Sequence, residues 1–124
     1  MVYFTPTHEW VLINDGIACV GMTTYAISEL GSIVFVQPPE VNAGLTAEED
    51  AFVVESTKAA CDIPSPVTGI VTEVNLALLQ DPSLLNSDPM GKGWVYKMRP
   101  TGSLGCIDVS KLLTEHEYKK MCEL

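Results

Sequence analysis

Turn-forming residues cut this chain into short pieces, and that punctuation limits the fold more than any other feature. Asn14-Asp15-Gly16, Pro38-Pro39, Pro64-Ser65-Pro66, Asp81-Pro82 and Pro100 with Gly102 all separate short apolar runs. Runs of that length suit strands, with a few helical turns between them. Strands are expected at 10–13, 17–22, 32–37, 51–55, 69–74 and 93–98. The Asn14-Asp15-Gly16 step between the first two reads as a tight hairpin. Thr23 or Thr24 can cap a short helix through Leu30, with Ile27 and Leu30 on its buried side and Gly31 as its permissive stop. A helical turn is expected from Leu76 to Gln80.

The end of the sequence has a different pattern. Thr114-Glu115-His116-Glu117 is a capping box, in which a Thr hydroxyl and a Glu three residues on satisfy each other's free amides. Tyr118, Met121 and Cys122 then share one helical side. With 124 residues, the chain suits one domain, residues 1–124, with a helical tail over about 108–124.

Sixteen Asp and Glu against seven Lys and Arg give a net charge of −9. Phosphate binding needs a basic surface, so nucleic acid is excluded as the main partner. No stretch of about 18 apolar residues exists, so no membrane span is expected either. The segment 1–57 has neither Lys nor Arg, and Lys58 is the first basic residue of the chain. A transit peptide or secretory signal does not begin this way.

Cys19, Cys61, Cys106 and Cys122 form no C-x-x-C pair and have no His at metal spacing; reduced, packed thiols and no metal site are expected. Cys61, close to Lys58, reads either as a nucleophile or as a small packed residue. With only His8 and His116, a two-His metal site or a His-based relay is poorly supplied.

The segment from Ala51 to Ile63 concentrates the chemistry. An apolar strand, a short polar tip and a second strand put Lys58 at or beside a hairpin tip, its amine in solvent. Such a lysine can simply keep a turn wet. It is also what an enzyme needs to modify one lysine while ignoring its neighbours, because Ser56, Thr57, Ala59 and Ala60 leave room around the amine.

Around these residues the sequence resembles the glycine cleavage system H proteins. The likeness runs over about residues 3–121. It includes His8-Glu9-Trp10-Val11, V-G-M-T-T-Y-A at 20–26, L-G-S-I-V-F-V at 30–36 and P-E-V at 39–41. E-S-T-K-A-A at 55–60, S-P-V-T-G at 65–69, E-V-N at 73–75, L-N-S-D-P at 85–89 and G-K-G-W at 91–94 follow in the family's order. The resemblance implies a mainly β lipoyl/biotinyl-type barrel-sandwich hybrid of two small antiparallel sheets, with short flanking helices and a C-terminal helix.

It also implies lipoic acid in amide linkage on Lys58, which would take the net charge from −9 to −10. The chain would then be a carrier with no catalytic residues of its own. It would serve a pyridoxal-phosphate-dependent glycine decarboxylase, a tetrahydrofolate-dependent aminomethyltransferase and a flavin-containing dihydrolipoyl dehydrogenase, after a lipoylating enzyme has loaded it. Glu55 matches a position used for recognition by lipoylating enzymes. Thr7, Glu9 and Asp62 match positions where the loaded arm docks. On the residues alone, Glu9 and Asp62 read equally as solvated acids, and Glu55 as an exposed strand-end acid.

Thr57 stands where the family usually has Val. Thr46-Ala47-Glu48-Glu49-Asp50 replaces a common Lys-Gly-Asp turn, Cys61 a Ser or Ala, and Met90 a Tyr. A lipoyl relay to 2-oxoacid dehydrogenases and an unmodified interaction module are the alternatives. A biotin carrier fits less well, because Lys58 is not flanked by Met. A monomer in a bacterial cytoplasm or mitochondrial-type matrix is expected.

Overall fold

The computed structural model describes residues 2–101 and 112–122. Its strands are β1 (Val2–Phe4), β2 (Glu9–Asn14), β3 (Ile17–Met22), β4 (Ile33–Gln37), β5 (Gly44–Leu45), β6 (Asp50–Ser56), β7 (Ala60–Pro64), β8 (Gly69–Val74) and β9 (Tyr96–Pro100). Helices α1 (Thr24–Leu30), α2 (Ala77–Gln80), α3 (Leu84–Ser87) and α4 (Glu115–Cys122) punctuate them. A six-stranded sheet in the order β1-β2-β3-β9-β8-β5 and a three-stranded sheet β4-β6-β7 make up the β structure. All the strand pairs are antiparallel. The fold is therefore the mainly β, two-sheet architecture expected above.

One core joins the two sheets. Val11, Val20, Val71, Tyr96 and Met98 from the larger sheet and Val36, Val54 and Phe52 from the smaller are all buried in it, with Leu78 and Leu85 of α2 and α3. The alternation of the strands explains this division, because successive side chains face opposite sides of a sheet. On β6, Phe52, Val54 and Ser56 face inward while Glu55 is exposed. A second, smaller cluster of Phe4, Trp10 and Tyr118 fastens α4 to β1 and β2.

The local signals operate as the sequence implies. The Thr23 hydroxyl accepts the Ala26 N–H at 3.2 Å and caps α1, a device that contributes about 1 kcal/mol. Gly31 ends α1 at φ 82°, donating its N–H to the Ile27 carbonyl. In the capping box, the Thr114 N–H donates to Glu117 Oε1 at 2.9 Å, and the Glu117 N–H donates to Thr114 Oγ1 at 3.3 Å.

One expectation needs correction. The last strand spans Tyr96–Pro100, not 93–98, because the Gly93 N–H bonds to the Asp88 carbonyl and the Trp94 N–H to the Gly91 carbonyl, which holds that stretch in a turn. Strand β8 covers the expected 69–74, with a register shift against β9 between Val71 and Glu73. The C-terminal helix covers Glu115–Cys122; the remainder of the expected 108–124 tail, apart from Leu112 to Thr114, lies outside the described residues, as does Cys106. Strands β1 and β5 and helix α3 were not expected at all.

Candidate functional site

Lys58 is exposed at the tip of the β6–β7 hairpin, with Thr57, Ala59 and Ala60 equally exposed beside it. Neither Thr57 nor Lys58 adopts a positive φ, so this is not the primed turn of a minimal hairpin. Ser56 organises it instead. The Ser56 hydroxyl accepts the Lys58 N–H at 3.1 Å and the Ala59 N–H at 3.2 Å, while the Ser56 N–H donates to the Ala59 carbonyl at 2.8 Å.

The tip is also tied sideways. The Thr57 N–H donates to the Ser32 carbonyl at 3.0 Å, in the loop between α1 and β4. Asn86 clamps that loop from α3: its side-chain amide donates to the Gly31 carbonyl at 2.8 Å and its oxygen accepts the Ile33 N–H at 2.9 Å. The lysine stem runs past Gly31, where a Cβ would lie 3.7 Å from Lys58 Cε. An exposed side chain thus stands on a backbone held by hydrogen bonds from two directions.

A groove of about 610 Å³ forms the second feature, lined by Thr5, Pro6, Thr7 and Glu9, by Thr46 to Glu48, and by Pro64 to Pro66 with Thr68 and Leu112. Glu9 is 1% exposed, so it is not a solvated acid. Its Oε1 accepts from Thr7 Oγ1 at 2.9 Å and from Thr5 Oγ1 at 3.0 Å, and its backbone N–H donates to Thr5 Oγ1 at 3.0 Å. Oε2 is buried without a hydrogen-bond partner among the described residues. Burial pushes the Glu9 carboxyl up to about 7, against the downward pull of the hydroxyls of Thr7 and Thr5.

Leaving a buried carboxyl oxygen unpaired is costly, and a cation would relieve that cost. The described lining includes the second acid Glu48 but no Lys or Arg. The groove therefore suits an ammonium-bearing ligand, and the exposed Lys58 amine suits acylation.

The structure joins some of the expected site residues and separates others. Thr7 and Glu9 share the groove. Asp62 is exposed on β7 and lines a shallower groove of about 310 Å³ with Gln37 to Glu40 and Asp50 to Val53. Strand β7 nevertheless runs from the lysine tip to Pro64 on the Glu9 groove, with Asp62 midway along it. Glu55 is exposed on β6, opposite Phe35 and Ala60. Gly69 serves close strand approach rather than a turn, since a Cβ there would lie 2.4 Å from the Arg99 carbonyl oxygen.

Sequence reasoning missed Ser56, Asn86 and Thr5. The spacing of Thr5 and Thr7 ahead of Glu9 was the available signal for the last of these. His8 also went unread. At φ 71° it turns its ring to Tyr118 of α4, 2.7 Å from Nδ1 to the hydroxyl, and that hydroxyl lies 2.7 Å from Thr23 Oγ1. Cys19, Cys61 and Cys122 are free and half-buried, and burial pushes the Cys19 thiol up to about 11. Among the described residues no group of three His, Cys, Asp or Glu could hold a metal ion, and no helix is long and apolar enough to cross a membrane.

Comparison with known proteins places these features in a family. The family model described as "Glycine cleavage H-protein" matches residues 2–124. The glycine cleavage system H protein of Acinetobacter baumannii is 49% identical over 116 residues, covering 94% of this chain and 91% of that protein. The protein of the same name from Thermobifida fusca is 43% identical over 120 residues, covering 97% and 91%. The crystal structure of a glycine cleavage system H protein from Mycobacterium marinum superposes with a TM-score of 0.89 at 39% identity, covering 99% of this chain and 97% of that one.

Proposed function

The chain belongs to the glycine cleavage H-protein family and is a carrier component of the glycine cleavage system, and from that premise we propose that Lys58 carries lipoic acid in amide linkage. The observation behind this reading is the hairpin tip. One exposed lysine, on a backbone held by Ser56 and Ser32, offers its amine to a modifying enzyme in a single defined place. Small Ala59 and Ala60 leave the approach open.

When attached, the lipoyl group would supply the dithiolane chemistry of aminomethyl transfer between a pyridoxal-phosphate-dependent glycine decarboxylase and a tetrahydrofolate-dependent aminomethyltransferase, with dihydrolipoyl dehydrogenase as the reoxidising partner. The chain's own contribution is presentation and shelter. Lys58 presents, and Glu9 with Thr7 receives a cationic amine in the groove, Oε2 of Glu9 accepting its N–H. Asp62, on the strand between tip and groove, offers a second carboxylate along that route. From Ala60, beside the tip, to Pro64 the strand spans about 13 Å, at roughly 3.3 Å per residue. Glu55 is the contact for the lipoylating enzyme.

Intact mass of the chain purified from its native host tests the assignment. A lipoyl increment that disappears in Lys58→Arg supports it; a free amine in every molecule under lipoate-replete growth defeats it. Glycine decarboxylation, reconstituted with the loaded chain, then tests the carrier role. In the same assay, Glu9→Ala should shorten the lifetime of the loaded arm.

A further inference from the structure

The loop between β1 and β2 carries an imidazole that the carrier role does not use. His8 stands between Thr7 and Glu9 with a left-handed backbone, φ 71°. That conformation favours Gly or Asn and is strained for other residues, so it persists only where the surroundings over-determine it. Here the His8 N–H donates to the Thr5 carbonyl at 3.1 Å, and the His8 carbonyl accepts the Thr23 N–H at 3.1 Å. The Thr5 N–H closes the loop on the Glu9 carbonyl at 3.0 Å. The imidazole lies 4.7 Å from the Tyr25 ring and meets Tyr118 edge-on at 5.6 Å.

A chain of hydrogen bonds leads from this ring into the core. His8 Nδ1 lies 2.7 Å from the Tyr118 hydroxyl, which lies 2.7 Å from Thr23 Oγ1. Thr23 Oγ1 already accepts the Ala26 N–H. With a neutral imidazole, Thr23 donates to Tyr118 and Tyr118 donates to Nδ1, so each hydroxyl hydrogen has an acceptor. A protonated ring would turn Nδ1 into a donor and leave one of those hydrogens without an acceptor in the chain. Thr23 and Tyr118 are only 2% and 6% exposed, so the loss would not be made good by solvent. Burial accordingly holds the imidazole below its ordinary 6.5, against the upward pull of Glu29 on α1. Tyr25 of α1 and Tyr118 of α4 are the titratable groups packed on the ring among the described residues, with Cys122 of α4 near both.

We propose that His8 is a positioning residue: its bond to Tyr118 fixes the 5–8 loop to α4 and so holds the Glu9 carboxylate in place for an ammonium group on the docked arm. This rests on the reading of the Glu9 groove given above. Thr7 and Glu9 flank His8 directly. The turn that His8 closes sets the place of Thr5 Oγ1, which accepts the Glu9 N–H and donates to Glu9 Oε1, both at 3.0 Å. The left-handed backbone shapes this turn, and the imidazole–phenol bond anchors it.

Glycine and asparagine separate the ring from the backbone. His8→Gly accepts the left-handed conformation and loses the bond to Tyr118. His8→Asn accepts it too and offers an amide oxygen near the place of Nδ1. Tyr118→Phe keeps the stack on Phe4 and removes the hydroxyl.

Two readouts apply: carbon-13 NMR titration of the Glu9 carboxyl in the unloaded chain, and the lifetime of the aminomethyl-loaded arm at pH 8 by intact mass. In His8→Gly and Tyr118→Phe the Glu9 midpoint should fall from about 7 toward its ordinary 4.5, as water reaches the carboxylate. The loaded arm should decay about fivefold faster, the factor that one net hydrogen bond is worth. His8→Asn should restore most of both. The double variant should lose no more than either single one, since both cut the same bond.

An unchanged Glu9 midpoint in His8→Gly overturns the proposal. So does an equal loss in His8→Asn, which would make ring packing rather than the hydrogen bond the cause. Should His8→Gly disturb folding by circular dichroism, Tyr118→Phe decides the same point. If Glu9→Ala leaves the lifetime of the loaded arm at the parental value, the groove reading fails and takes the docking role with it, whatever the titrations show.

Discussion

The lysine tip and the Glu9 groove hold their functional groups by opposite means. Lys58 is exposed and its backbone is held by hydrogen bonds to Ser56 and, through Thr57, to Ser32, so the hydrogen bonds define the root of the side chain. Glu9 is almost completely buried, with one oxygen held by two hydroxyls and the other without a partner among the described residues. Substitution of Lys58 itself should therefore be felt in chemistry and hardly in stability. Substitution in the groove should be felt in both, because burial has already perturbed the carboxyl.

The sharpest test of this contrast is Lys58→Arg, which should remove all lipoyl modification by intact mass while leaving the melting temperature within about 2 °C, since exposed substitutions seldom exceed about 0.5 kcal/mol. A large fall in melting temperature would break the comparison.

Glu9→Gln should act in the other direction. With its carboxyl raised to about 7 against an ordinary 4.5, the folded state binds a proton more tightly than the unfolded chain. The stabilisation this gives is complete below about pH 4.5 and lost as pH rises through about 7, a span of order 3 kcal/mol. Urea unfolding at pH 5 and pH 8 should show the parent losing stability over that interval and Glu9→Gln losing much less. Docking of an ammonium-bearing arm should run oppositely to proton binding, strengthening above pH 7 as the carboxylate forms; lifetimes of the loaded arm at pH 6 and pH 8 measure this.

Ser56→Ala removes the acceptor for two tip amides. Stability should fall by about 1 kcal/mol, and acylation of Lys58 should slow several-fold, because the amine would start from a less defined position. The smallest effect is expected at the rim of the groove. Glu48 stands at φ 72° in the acidic turn that replaces the family's common Lys-Gly-Asp turn. Glu48→Gly should relieve about 1 kcal/mol of left-handed strain and raise the melting temperature by about 4 °C.

The same contrast explains what could be read in the sequence. The tip was legible because hairpin, lysine and small neighbours are contiguous, and β3 was legible to the residue because it runs from Asp15-Gly16 to the Thr23 cap. The groove at Glu9 was not, because it is lined by Leu112 and by Pro64 to Pro66, residues distant along the chain. Strand β1 has three residues and leans on Trp10 and Leu113 for its pairing, and β5 has two residues paired to β8; neither carries a periodic signal of its own. Asn86 sits in a recognisable L-N-S-D-P segment, yet its two hydrogen bonds, one to the Gly31 carbonyl and one from the Ile33 N–H, required the fold to be known.

Near its two ends the described chain closes on itself. Phe4 exchanges backbone bonds with Leu113 at 2.8 and 2.7 Å and stacks on Tyr118 with ring centroids 4.8 Å apart. The loop Thr5 to His8, which follows Phe4 directly, supplies both hydroxyls that hold Glu9, and its His8 meets the Tyr118 hydroxyl. A protease nick or a bulky fusion that pries α4 away would therefore be registered first as a loosened carboxyl on the far side of that loop, long before the hairpin bearing Lys58 lost its shape.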